Sequence, residues 1–235
     1  MNVIDEVSKL NAAQREAVLH TTGPLLVVAG AGSGKTKVAT VRIANLIQSG
    51  VNPEAIVGVT FTNKAAKEMR ERVMNLVGHP VLVSTFHSLG LKILRESGHH
   101  IGYQNDFVVY DADDSQKALK AVLKEMGIND DKLSSLLQNI STLKNKLNAP
   151  KGQEALIYNN YCALLKRSGA VDFDDLLQLP VQLFRTYPEV CRQYQERWQH
   201  ILVDEYQDTN YAQSVLISLL AGNQKNIFAV GDPDQ

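Results

Sequence analysis

The stretch that most constrains this chain is Leu25–Val28 followed by Ala29-Gly30-Ala31-Gly32-Ser33-Gly34-Lys35-Thr36. The four apolar residues read as a buried strand, and residues 37–48 carry the spacing of a helix. A strand, a glycine-rich loop and a helix in that order make a phosphate-binding P-loop. Gly30, Ala31, Gly32 and Gly34, with Ser33 among them, leave room for backbone N–H groups to turn inward onto phosphate oxygens. The helix N-terminus adds partial positive charge behind them. Lys35 would reach the β- and γ-phosphates of a nucleotide, and the Thr36 hydroxyl would ligate Mg²⁺. Ala29 stands where the G-x-x-x-x-G-K-[ST] pattern has its first glycine, and a strand end accommodates that methyl group. The competing reading is a glycine-rich turn with a chance Gly-Lys-Thr.

The rest of the chain bears on that choice. Asn11-Ala12-Ala13-Gln14 opens a helix to about His20, with Asn11 as cap and Gln14 completing a capping-box pattern. A glutamine amide also pairs bidentately with adenine, as it does in DNA, although the spacing alone favours the cap. Residues 55–60 and 81–84 read as strands, each followed by a helix. Asn63 is expected to cap the first of these helices, running from Lys64 to about Val77. Three strand–helix repeats argue for a parallel sheet with helices on both faces. Ligands of such sheets sit beyond the carboxyl ends of the strands, where Phe61, Thr62, Asn63, Thr85, Phe86 and His87 fall.

Residues 112–168 break the alternation. Segments 111–126, 132–147 and 152–167 read as helices without a strand among them, which marks an inserted helical subdomain. Lys144, Lys146 and Lys151 lie in a stretch without acids and suggest a surface for phosphates. Asp172, Asp174 and Asp175 invite a metal reading but suit a helix N-terminus better. Trp198 reads as a packing residue. His200–Val203 is another strand, ending in Asp204-Glu205. Here Asp204 would hold Mg²⁺ and Glu205 would orient and deprotonate an attacking water. A fifth strand, residues 226–230, leads into Gly231-Asp232-Pro233-Asp234-Gln235.

Composition closes off several classes. With 44% hydrophobic and 21% charged residues, the chain is an ordinary globular one. Cys162 and Cys191 lack metal-type spacing, so neither a disulfide framework nor a zinc site is expected. No apolar run approaches membrane-spanning length and no signal-peptide pattern opens the sequence, so no membrane partner and a cytoplasmic location are expected. The net charge of −1 hides an asymmetry: residues 1–170 carry 20 basic against 15 acidic side chains, and the remainder 4 against 10. Such a division permits a basic groove beside an acidic metal site.

Leu10–Gln14, Ala29–Thr36, Val59–Ala66, Ser84–His87, Asp172–Leu177, Val203–Asn210 and Val230–Gln235, taken in order, identify a resemblance. The chain resembles the amino-terminal portion of superfamily 1 DNA helicases of the UvrD/Rep/PcrA type. The resemblance implies a RecA-like P-loop NTPase fold over residues 1–111 and 169–235, interrupted by the helical subdomain at 112–168. It implies ATP and Mg²⁺ as ligands, Gln14 as adenine reader, and Arg72 near the γ-phosphate. It also implies Gln235 as a γ-phosphate sensor and a single-stranded DNA track along Phe61–Asn63 and Thr85–His87. Aromatic stacking on bases there is worth ~1–3 kcal/mol each. Lys37 stands where the family has an arginine stacked on adenine, and an ammonium does not stack as a guanidinium plane does.

The implied parent is an ATP-dependent 3′–5′ helicase acting on single-stranded DNA and ss/dsDNA junctions. Family members continue past Gln235 into a second motor domain, so the sequence reads as a fragment with little turnover of its own. A helicase–nuclease relative, or a passive nucleic-acid-binding module with a vestigial ATP site, are the alternatives.

Overall fold

A computed structural model describes residues 3–232 and 234. Among these residues seven strands occur: β1 (Leu25–Val28), β2 (Ile56–Thr60), β3 (Leu82–Thr85), β4 (Val108–Val109), β5 (Ala170–Val171), β6 (His200–Val203) and β7 (Ile227–Gly231). The helices are α1 (Val3–Ser8), α2 (Ala12–Leu19), α3 (Lys35–Gln48), α4 (Asn63–Val77), α5 (Phe86–Ser97), α6 (Ala112–Glu125), α7 (Leu133–Asn145), α8 (Gly152–Arg167), α9 (Asp175–Thr186), α10 (Pro188–Arg197) and α11 (Tyr211–Ala221). Two compact units result. One takes the chain up to Leu89, Cys191–Thr209 and the residues from Ile217 onward, and the other takes Gly90–Val190 and Asn210–Leu216.

The first unit holds a five-stranded sheet in the order β1-β7-β6-β2-β3, parallel throughout. Val38, Val41, Ile43 and Leu46 of α3 and Met69 and Val73 of α4 pack with Ile56, Val83, Leu202, Phe228 and Val230 of the strands. Each such side chain contributes ~1.5–3 kcal/mol on burial. The α/β architecture expected from the sequence, a parallel sheet flanked by helices, is therefore present.

Two local expectations change. The first strand, expected to be buried, is an edge strand paired on one side to β7. Its alternate residues Leu26 and Val28 are 59% and 63% exposed, because period-two alternation turns them away from the core. Thr62, rather than Asn63, caps α4, its hydroxyl accepting the Ala65 N–H at 3.1 Å. By contrast the capping box of α2 forms as its sequence predicts, with Asn11 Oδ1 accepting the Gln14 N–H and Gln14 Oε1 accepting the Asn11 N–H. Arg42 of α3 satisfies the other end of α2, donating to the Ala17 and His20 carbonyls while stacking 4.9 Å over Phe228. Burial brings its guanidinium pKa down to about 10, so it stays charged at neutral pH.

In the second unit, Leu119 and Leu123 of α6, Ile140 of α7, and Ile157, Tyr161 and Leu165 of α8 form one core. β4 and β5 make a two-residue parallel pair that the sequence does not announce. Pro180 lies inside α9, where its missing N–H leaves the Leu176 carbonyl without a helical donor. Gly90 approaches that carbonyl so closely that a Cβ would lie 1.8 Å from the oxygen.

The lysine-rich reading of 144–151 also changes. Lys144 is fully buried, its Nζ 2.7 Å from Asp172 Oδ2 and 2.7 Å from Asp175 Oδ1. Tyr161 donates its hydroxyl to Asp172 at 3.0 Å. The Asp175 N–H donates to Asp172 Oδ1 and the Asp172 N–H to Asp175 Oδ2, so these two aspartates lie at the start of α9 and satisfy its first N–H, while the N-cap residue Asp174 makes no side-chain cap bond. Burial opposes the lysine's charge, but the Asp175 and Asp172 carboxylates outweigh it and hold its pKa well above the ordinary value. One lysine neutralises one of two carboxylates; burial therefore raises the Asp175 pKa, to about 6.

Candidate active site

The register of the sheet decides which loops meet. Val28 lies opposite Gly231, Ala29 donates its N–H to the Gly231 carbonyl at 3.0 Å, and Val203 sits between Val59 and Ala229. Thr60 pairs with Thr85. The glycine-rich loop, Asp204-Glu205, Asp232, Phe61–Asn63 and Phe86-His87 thus all leave carboxyl ends of parallel strands, on one edge of the sheet.

Gly34 begins α3 in the left-handed conformation (φ 84°) without a side-chain cap. Lys35, the first helical residue, is only 8% exposed and projects between two acids: its Nζ is 3.6 Å from Asp232 Oδ2 and 3.9 Å from Glu205 Oε2. Thr36 Oγ1 donates to Asp204 Oδ2 at 3.4 Å. Burial, then the neighbouring Glu205 charge, pushes the Asp204 carboxyl up from its usual range. A cation would relieve both effects, and a hydroxyl with a carboxylate is the hard-oxygen chemistry that Mg²⁺ takes. The expected Mg²⁺ ligands therefore fit, although no group of three or more metal-ligating side chains occurs among the described residues.

A cavity of about 420 Å³ lies over this cluster, lined by Ala31, Gly32, Gly34, Lys35, Thr36, Lys37, Arg72 and Glu205. Arg72 pairs loosely with Glu68 at 3.8 Å. Lys37 pairs with Glu6 of α1 at 3.6 Å. Gln14 does not line the cavity. Its Nε2 donates to the Ser33 carbonyl at 2.8 Å while its Oε1 serves the capping box, so both ends of the amide are engaged. At the other strand tips, Phe61 and Phe86 meet with ring centroids 5.5 Å apart. Phe86 and Thr85 are buried, whereas Thr62 and Asn63 are exposed and Phe61 and His87 are half-buried. Gln235 lies outside the described residues.

Two residues at the site escaped the sequence reading. Asp232 carried a usable signal, since it ends an apolar strand as Asp204 does. Gln207 falls in the Val203–Asn210 stretch that carries the resemblance but was given no role there: it lies in a 3₁₀ turn (Tyr206–Asp208) two residues past Glu205. Its Nε2 donates to Glu205 Oε2 at 2.8 Å, and its Oε1 accepts the Asp232 N–H at 2.9 Å. Glu205 itself holds a left-handed backbone (φ 53°), uncommon for a residue other than glycine.

A parallel sheet with a glycine-rich loop at one strand tip and paired acids at another is the arrangement of a RecA-like P-loop domain. The chain belongs to the family described as UvrD/REP helicase N-terminal domain, which matches residues 10–235. It is 44% identical to the ATP-dependent DNA helicase PcrA of Staphylococcus aureus strain Mu50 and, equally, to that of Staphylococcus epidermidis strain ATCC 12228. Each alignment covers 97% of this chain and 34% of the relative, so the chain spans about a third of the length of the curated relatives it matches. No helix among the described residues is long and apolar enough to cross a membrane.

Proposed function

We propose that this chain is the ATP- and single-stranded-DNA-binding motor region of an ATP-dependent 3′–5′ DNA helicase. The observation that carries the reading is Lys35, buried at the helix start 3.9 Å from Glu205, with Asp204 beside Thr36 at the same tip of β6. In this reading residues 1–111 and 169–235 are the motor domain and 112–168 the helical insertion. The loop Ala29–Gly34 wraps the phosphates with its amides, and Lys35 turns from its acids to the β- and γ-phosphates. Thr36 and Asp204 would hold Mg²⁺, whose charge neutralises phosphate oxygens. Glu205 accepts the proton of the attacking water. Arg72 and Gln235 face the γ-phosphate, and Lys37 and Gln14 the base; Gln14 must then release Asn11 or Ser33. Phe61, Thr62, Asn63, Thr85, Phe86 and His87 line the DNA track, with Phe61 and the exposed polar residues making first contact.

Single-stranded DNA, ss/dsDNA junctions and a second motor domain of the same protein are the partners, in the cytoplasm. By itself the chain turns over slowly, because arginines from a second domain are worth ~10³–10⁵ in rate. The test is a titration of residues 1–235 with labelled Mg-ATP. Saturable binding lost in Lys35→Ala supports the site; equal binding by both proteins, or none by the wild type, refutes it.

A further inference from the structure

We infer that Gln207 is a positioning residue whose amide fixes the Glu205 carboxylate and ties it to the backbone leaving β7. The inference rests on Glu205 being the water-activating group proposed above. Glu205 is poorly oriented by its own surroundings. Its side chain is 37% exposed, and Lys35 at 3.9 Å is beyond hydrogen-bonding distance. Gln207 supplies a short contact, 2.8 Å from Nε2 to Oε2. The orientation of the amide follows from its other end. A backbone N–H only donates, so the atom 2.9 Å from the Asp232 nitrogen is the carbonyl Oε1, and the NH₂ group faces the carboxylate.

The arrangement needs a glycine next to Asp232. A Cβ on Gly231 would lie 2.6 Å from Gln207 Oε1 and 3.2 Å from the Gln207 nitrogen. A structural staple between the 3₁₀ turn and β7 would be complete with the Oε1 contact alone. The second bond is directed at the one carboxylate that must meet a water. A neutral amide also suits that task chemically: it orients a carboxylate without cancelling the charge that lets it accept a proton, as an arginine partner would.

The experiment uses residues 1–235 and three variants. Gln207→Leu removes both bonds. Gln207→Glu keeps the acceptor for the Asp232 N–H but sets a second carboxylate against Glu205. Gly231→Ala pushes the amide aside. Mg-ATP affinity, single-turnover hydrolysis with protein in excess, and amide hydrogen exchange at Asp232 are measured for each. A misdirected base forfeits part of the ~10²–10⁴ that general base catalysis supplies, so hydrolysis falls about tenfold or more in all three while affinity stays within about twofold. Exchange at Asp232 accelerates in Gln207→Leu and Gly231→Ala but not in Gln207→Glu. Combining Gly231→Ala with Gln207→Leu adds nothing, since both break one link.

Hydrolysis unchanged in Gln207→Glu, or lost only in proportion to affinity, overturns the inference. So does a wild type that binds Mg-ATP and never cleaves it; in both cases the proposed site survives. A wild type that does not bind Mg-ATP removes the proposed function, and the inference with it.

Discussion

Removing the buried Lys144 cation is the most informative perturbation outside the nucleotide site. Lys144→Met keeps the length and apolar stem of the side chain but leaves Asp172 and Asp175 facing each other in the interior. At least one carboxyl must then take a proton. Holding an ordinary carboxyl protonated at pH 7 opposes about three pH units at ~1.4 kcal/mol each, or ~4 kcal/mol. Direct experience with broken buried ion pairs gives the same size, ~3–5 kcal/mol. Against a typical domain stability of ~5–15 kcal/mol, this is a large fraction. The cost should shrink by ~1.4 kcal/mol for each pH unit of acidification, because protons then come more easily. It should largely vanish when Asp172→Asn and Asp175→Asn accompany Lys144→Met. Urea unfolding followed by far-ultraviolet dichroism, with hydrogen exchange over α7 and α9, measures the effect. The chain's single tryptophan, Trp198, belongs to the other unit and reports whether that unit unfolds with it. A cost below ~1 kcal/mol at pH 7, or one unaffected by neutralising both aspartates, would refute the reasoning.

Three further outcomes are expected. Gly90→Ala drives a methyl into the Leu176 carbonyl, with backbone on both sides and no flexible neighbour to yield. The loss should reach ~3 kcal/mol or more in denaturant unfolding, and a loss below 1 kcal/mol would mean that α5 and α9 separate easily. Asn11→Ala removes the cap of α2 and should cost ~1 kcal/mol while leaving Mg-ATP affinity unchanged. An affinity that fell in step would make the capping box part of the base site. Finally, the raised Asp175 pKa means that the folded chain holds a proton which the unfolded chain releases. Its stabilising contribution is complete below the ordinary value of 3.8 and is lost as pH climbs through about 6. Urea midpoints should drift downward across that window in the wild type and level out in Asp175→Asn.

The sheet was legible because each of its five strands is an apolar run ending in a functional or turn residue. Strand order was not. Nothing in Leu25-Leu26-Val27-Val28 says whether the run lies in the middle of a sheet or at its edge, since that depends on where strands from the far end of the chain insert. Lys144 illustrates the same limit for charge. Its nearest carboxylates are 28 and 31 positions away, so a window around residue 144 shows only a basic surface. The phosphate loop and Asp204-Glu205 stood out because backbone geometry demands glycines and apolar strands there. Gln207 did not, for its partners are a side chain and a backbone amide joined only by folding.

The order β1-β7-β6-β2-β3 also bears on how the molecule is made. Leu25 of β1 pairs with Phe228 of β7, some two hundred residues downstream. The phosphate loop is thus synthesised about two hundred residues ahead of the strand that pairs with its supporting strand. At ~5–20 residues per second, a ribosome imposes a wait of ~10–40 s between them. Throughout that interval Leu25–Val28 is an unpaired apolar strand, a target for chaperones or for a neighbouring chain. A pause in translation before Ile227 should therefore lower soluble yield more than an equal pause after Gly231.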